Sequence, residues 1–231
     1  MSVYTPHWAP IVALAFMGTG FVLVVGLFVV LFGVLRKSRG IVLGGLAGVL
    51  TTLLAYGTVL LSLSLLSSNV ELPQGAWKYF CEIDCHLAYA IGGAQVVGSA
   101  GPEIQALTPD GKFVIVQVKT WFDPSTISAH RGNGPLVPNE RKVVLVDRGG
   151  RTFAQSSKSE AVLAAEGLHA MSLGTALRPG ESYISYLVFE VPGDSRGLRL
   201  LIISADEVGR MLWGHESSPF HKKAYFALPA A

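Results

Sequence analysis

Apolar residues run without a charge from Ile11 to Leu35 and again from Ile41 to Leu66, and only Arg36-Lys37-Ser38-Arg39-Gly40 separates the two runs. A hydrocarbon core of about 30 Å is crossed by roughly 20 apolar helical residues, so each run is long enough to span a bilayer. Inside lipid the backbone must satisfy its own polar groups, and two complete helices joined by a short loop do so. The pattern predicts an external segment 1–10, a transmembrane helical hairpin over 11–66 with its loop at 36–40, a polar linker 67–76 broken by Pro73 and Gly75, and a β-sandwich over 77–231.

Period two dominates the last region. In Lys112 to Phe122, Val114, Val116, Val118 and Phe122 share one face, with Gln117 and Lys119 on the other, as in a half-buried strand. Val143 to Val146 ends in the turn Asp147-Arg148-Gly149-Gly150 before Arg151-Thr152-Phe153. Arg178-Pro179-Gly180-Glu181 places Pro and Gly where a type II turn needs them and introduces a strand over Ser182 to Val191. Leu198 to Ser204 and Lys222 to Leu228 follow as strands, and only Ser159 to Leu168 suggests a helix. Several strands with turn chemistry between them predict an antiparallel sandwich.

The succession Lys112 to Phe122, Val143 to Phe153, and Leu177-Arg178-Pro179-Gly180-Glu181-Ser182 leading to Leu187-Val188-Phe189-Glu190-Val191-Pro192 resembles a known family. It looks like the immunoglobulin-like extracellular domains of bacterial lipoproteins and membrane-anchored proteins whose function is unknown. The resemblance covers residues 112 to 204 and implies an all-β immunoglobulin-like sandwich, but no activity, because such sandwiches host many roles. A helical hairpin here replaces the lipidated cysteine of the lipoprotein members.

Charge then gives an orientation. Arg36, Lys37 and Arg39 lie between the spans while residues 1–10 carry no Lys or Arg, so the positive-inside rule puts the loop in the cytoplasm and both termini outside. All 16 acidic residues lie from Glu71 onward, where 15 of the 18 Lys and Arg also lie, a net charge of −1 for that region. The formal +2 of the chain is therefore a topology signal and does not argue for nucleic acid. No basic segment precedes the first run, which reads as a retained anchor in a bacterial inner membrane with the sandwich on the periplasmic or extracellular side.

Within the second span Gly44, Gly48, Thr51 and Ala55 recur three or four residues apart, a small-residue stripe that lets another helix backbone come close. Either the first span or another subunit can use it, and the short loop favours the first span. Neither span contains Asp, Glu, Lys, Arg or His, which argues against a proton or ion path through this chain alone.

Concentrated chemistry occurs at Cys81-Glu82-Ile83-Asp84-Cys85-His86. A disulfide needs Cα atoms within about 7 Å, reachable by this pair in a helical turn but not in a strand. Thiolates and imidazole suit copper or zinc, with His215 or His221 completing the site. Covalent haem usually needs Cys-x-x-Cys-His, one residue shorter than this. Strict alternation of Cys81, Ile83, Cys85, Leu87, Tyr89 and Ile91 with polar or small residues instead reads as the first strand of the sandwich, with both cysteines as buried small hydrophobes. Cytochrome oxidase subunit II also has two membrane helices before an external sandwich. Its copper motif closes the domain and places His four residues after the second Cys, where Tyr89 stands here, so only the topological likeness is kept.

Enzyme signatures such as Gly-x-Ser-x-Gly, His-Glu-x-x-His and a phosphate-binding glycine loop are missing from the sequence. The polar loop Asp123 to Pro135, with His130 and Arg131, and the apolar-rich segment at Trp213 are candidate partner contacts. The expected function is a non-catalytic, cofactor-free accessory subunit. Its hairpin docks among other subunits of a membrane complex, respiratory or photosynthetic, and its sandwich stabilises the complex or binds a partner. The alternative is a periplasmic copper-handling or redox protein using Cys81, Cys85 and His86.

Overall fold

The computed structural model describes residues 3–4, 9–80, 87–98, 110–126, 130–205 and 207–228. The chain divides into two compact units, one made of residues 7–68 with 206–222 and the other of residues 1–6, 69–205 and 223–231.

The first unit holds two long apolar helices, α1 (Ala9–Leu35) and α2 (Arg39–Leu65). Each carries an uncharged stretch with the length and hydropathy of a membrane span. The turn between them is a Schellman-type cap: Lys37 adopts φ +53°, Ser38 N donates to Gly33 O at 2.9 Å, and Lys37 N donates to Val34 O at 3.0 Å. Glycine usually fills that left-handed position, but here a basic residue does.

The helices close on one another through glycines that each face a valine. A Cβ at Gly26 would stand 2.6 Å from Val49 Cγ2, one at Gly33 2.8 Å from Val42 N, and one at Gly45 2.7 Å from Val30 Cγ2. These contacts share one antiparallel register, and the less exposed positions of both helices recur at three- and four-residue spacing, as in a knobs-into-holes pair. The stripe Gly44, Gly48, Thr51 and Ala55 is not that seam. Gly44 and Gly48 would carry a Cβ into open space, and Thr51 and Ala55 are exposed. Packing of the two helices thus uses a face turned one residue along from the one the sequence pattern suggested, because Gly45 and Val49, not Gly44 and Gly48, share the heptad phase of Val42.

The second unit is a mostly antiparallel β region of two five-stranded sheets. The first orders β1 (Val3–Tyr4), β3 (Trp77–Phe80), β4 (Leu87–Val97), β5 (Lys112–Phe122) and β8 (Ser182–Val191). The other orders β2 (Val70–Leu72), β10 (Ala224–Ala227), β9 (Arg199–Ser204), β6 (Arg141–Val146) and β7 (Thr152–Phe153). Two edge pairings are parallel, β1 with β3 and β2 with β10. Val70–Leu72 lies inside the stretch read as a linker. It forms a strand because Val70 N bonds Lys223 O at 3.0 Å and Leu72 is buried.

Alternation along β5 decides the core. Val114, Val116, Val118 and Phe122 meet Leu145, Leu200, Ile202 and Phe226 of the other sheet in one cluster. The opposite face is only partly polar. Phe113 and Ile115 are covered by Val162 and Leu163 of the short helix α3 (Ser159–Ala165), which forms a second cluster with Val188. Gly180 has φ +85° and Glu181 N donates to Arg178 O at 3.0 Å, the geometry of a type II turn.

Candidate functional site

Residues 81–86, and with them Cys81, Cys85 and His86, lie outside the described residues. On either side of them, Phe80 is the register partner of Leu87, and Lys78 that of Tyr89. Of the stretch expected as the first strand, Leu87 to Ile91 are described and belong to β4, which pairs antiparallel with β3.

A basic and aromatic cluster centres on the paired ends of β3 and β4. Lys78 is 1% exposed, a lone cation in the apolar run Trp77-Lys78-Tyr79-Phe80. Its Nζ donates to Ile202 O at 2.7 Å and Ala224 O at 3.3 Å. Direct pairing of β9 with β10 is confined to Phe226 with Leu200 and Ala227 with Arg199, so the ammonium caps carbonyls just where that ladder ends. The Arg141 guanidinium lies 4.5 Å from the Phe80 ring centroid and 5.8 Å from that of Tyr89, while Lys78 Nζ is 5.1 Å from Phe80. Phe80 and Tyr89 meet edge to face at 5.3 Å. Desolvated cations over ring faces are held by the ring quadrupoles, and here they join three strands of both sheets. A lysine amid three aromatic residues is the sequence signal for this node.

The loop after β5 is anchored by its first residue. Asp123 accepts from Tyr79 Oη at 2.7 Å, Ser125 N at 2.9 Å and Ser125 Oγ at 2.6 Å. Burial alone would push its carboxyl up, but the Ser125 and Tyr79 hydrogen bonds outweigh this and hold it below the ordinary range. Burial, then the hydrogen bond to Asp123 and its charge, pushes the Tyr79 phenol up. Further along, Arg131 stands 4.9 Å from the Phe122 ring centroid and donates to Gly134 O at 2.8 Å, and His130 is exposed. Arg131 therefore braces the loop against β5.

Trp213 belongs to the helical unit. Its ring lies 4.8 Å from that of Tyr56 on α2, its Nε1 donates to Tyr56 O at 3.2 Å, and Tyr56 Oη donates to Met211 O at 2.6 Å. His215 and His221 lie on the same segment. His215 Nδ1 accepts from Ser217 N at 3.0 Å, and His221 Nδ1 stands 2.6 Å from Lys222 O. Both imidazoles thus use a ring nitrogen in local turns. Among the described residues no group of three or more His, Cys, Asp and Glu side chains is arranged to hold a metal ion.

No family model matches this chain, and no curated protein matches it. Among solved structures, the crystal structure of a conserved hypothetical protein from Bacillus anthracis is similar over 54% of this chain and 88% of that one, with 14% sequence identity and a TM-score of 0.38.

Proposed function

We propose that this chain is a non-catalytic, membrane-anchored accessory subunit whose helical hairpin docks in a larger bacterial inner-membrane complex. Its β region, read as an immunoglobulin-like sandwich, stands on the periplasmic or extracellular side and stabilises the complex or binds a partner there. The observation that carries this reading is the separation of two faces on α2. Gly45 and Val49 are consumed by α1, while Gly44, Gly48, Thr51 and Ala55 remain open. A face of small residues admits a second helix backbone closely, and van der Waals packing of that kind drives helix association in lipid. Bulky residues line the rest of the exposed surface, such as Leu43 at 66% and Leu54 at 62%, as suits contact with acyl chains.

The orientation rests on Arg36, Lys37 and Arg39 in the loop. On the β region, the Trp77 and Trp121 rings meet at 5.2 Å, tilted by 46°, with Lys119 Nζ 5.8 Å from the Trp77 centroid, a half-exposed surface that suits a protein contact. Respiratory and photosynthetic assemblies are the host classes we favour.

A photoreactive residue placed at Gly48 in native membranes tests the docking. The reading expects an adduct with another protein chain from position 48 and lipid adducts alone from Leu46, which faces away. Lipid adducts alone from both positions overturn it.

A further inference from the structure

Residues 207–222 join β9 to β10 in sequence, yet they fold with the helices as one compact unit. The segment is a chain of tight turns. Val208–Met211 is a 3-10 turn, His215 N donates to Leu212 O at 3.3 Å, Ser218 N to His215 O at 2.9 Å, and Ser218 Oγ to Leu212 O at 2.5 Å. Such internal satisfaction is what a boundary poor in water demands of a non-helical backbone. Its large apolar side chains nevertheless point outward: Val208 is 53%, Met211 55% and Phe220 71% exposed.

Depth follows from the helix register. Gly26 faces Val49, so seven residues farther from the loop on each helix Thr19 lies level with Tyr56. The uncharged run of α1 begins at Ile11, eight residues beyond Thr19, which puts Tyr56 about 12 Å below the outer end of that run. The run exceeds a 30 Å core by roughly 7 Å, so Tyr56 stands roughly 5–12 Å inside the outer boundary of the acyl region. Tyr56 is also where Met211 and Trp213 are clasped. At its far end the segment returns to the top of α2, where Lys222 N donates to Ser67 Oγ at 2.9 Å. It therefore runs along roughly 16 Å of helix.

We propose that residues 207–222 form a lipid-binding interface element, seating Val208, Met211 and Phe220 at the boundary between headgroups and acyl chains of the outer leaflet. Trp213 locks the element to α2 at the depth where amphipathic rings settle. The Glu207–Arg210 ion pair, at 2.9 Å with both side chains exposed, is its charged edge. The depth is that of interfacial segments, whose apolar faces sink about 5–10 Å below the headgroup level. The occupant is lipid because Met211, itself exposed, is held at the depth of Tyr56, beside the exposed Leu53 and Leu54 of α2. This inference rests on the membrane-spanning reading of the hairpin.

The test uses the full chain in phosphatidylethanolamine and phosphatidylglycerol vesicles. Nitroxide amino acids are placed singly at Met211, Phe220, Leu50 on α2 and Lys142 on β6, leaving both cysteines in place. Relaxation by oxygen, which partitions into lipid, is compared with relaxation by a water-soluble nickel chelate. The expected result is a severalfold higher oxygen-to-nickel ratio at Met211, Phe220 and Leu50 than at Lys142. A lipid-like ratio at Leu50 with a water-like ratio at Met211 and Phe220 overturns the interface element and leaves the span intact. Labels at Met211 and Phe220 reached by neither reagent indicate a protein contact and overturn it too. A water-like ratio at Leu50 overturns the span itself.

Discussion

Moving one methyl group by one residue along α2 should separate a packed face from an open one. Gly45→Ala places a Cβ 2.7 Å from Val30 Cγ2 and 3.2 Å from Val30 N. The valine methyl can rotate, but the backbone nitrogen moves only if the helices part, and overpacking of this kind costs about 1–3 kcal/mol. Gly48→Ala meets nothing within 4 Å. Both substitutions gain the same alanine propensity, about 1 kcal/mol over glycine, so this gain cancels in the comparison and the overpacking remains. Gly45→Ala should therefore be about 1–3 kcal/mol less stable than Gly48→Ala. Dyes at Leu14 and Leu61, both exposed and level in the register, report helix separation by energy transfer during reversible detergent denaturation of the reconstituted chain. Equal stability of the two variants, or a larger loss at Gly48, refutes the register from which the open face was deduced.

Three other outcomes follow from the same structure. Lys78→Met keeps most of the volume but leaves the Ile202 and Ala224 carbonyls without their ammonium donor, and should lower β-region stability by about 1–3 kcal/mol in chemical denaturation; an unchanged midpoint counts against the capping role. The Asp123 carboxyl titrates below its ordinary 3.8 in the folded chain, so its stabilisation is complete above that pH and is lost as pH falls through the lower folded value. Asp123→Asn should flatten the acid limb of a stability-versus-pH curve there, and an identical limb in both proteins contradicts the assignment. Trp213→Ala removes a ring contact and a hydrogen bond together worth about 1–3 kcal/mol, and trypsin should then cut after Arg210 roughly tenfold faster in vesicles; unaltered cleavage shows that Tyr56 does not retain the segment.

Periodicity carried most of the architecture because burial on one face leaves a direct trace in sequence. Lys112 to Phe122 and Ser182 to Val191 are strands with the ends that alternation and turn chemistry assign, and Gly180 adopts the positive φ its turn requires. Trp77 to Phe80 carries no alternation, being three aromatic residues around Lys78, and only its pairing with Leu87 to Tyr89 reveals it as a strand. The helix seam was misread by one residue, as Gly44 and Gly45 both belong to small-residue patterns and the partner helix alone selects the phase. Lys78, Arg141 and Tyr56 went unnoticed because their roles are non-local: each partner lies on an element far away in sequence. The grouping of residues 207–222 with the helices was hidden for the same reason.

Docking through the open face of α2 is tested most directly by native size. Solubilised gently from its own membranes, the wild-type chain should migrate in an assembly far larger than its 24.6 kDa. Gly44→Leu with Gly48→Leu should release it to the size of the free chain while energy transfer between α1 and α2 stays unchanged. A double variant that remains in the large assembly, or a wild-type chain that migrates alone, contradicts the account.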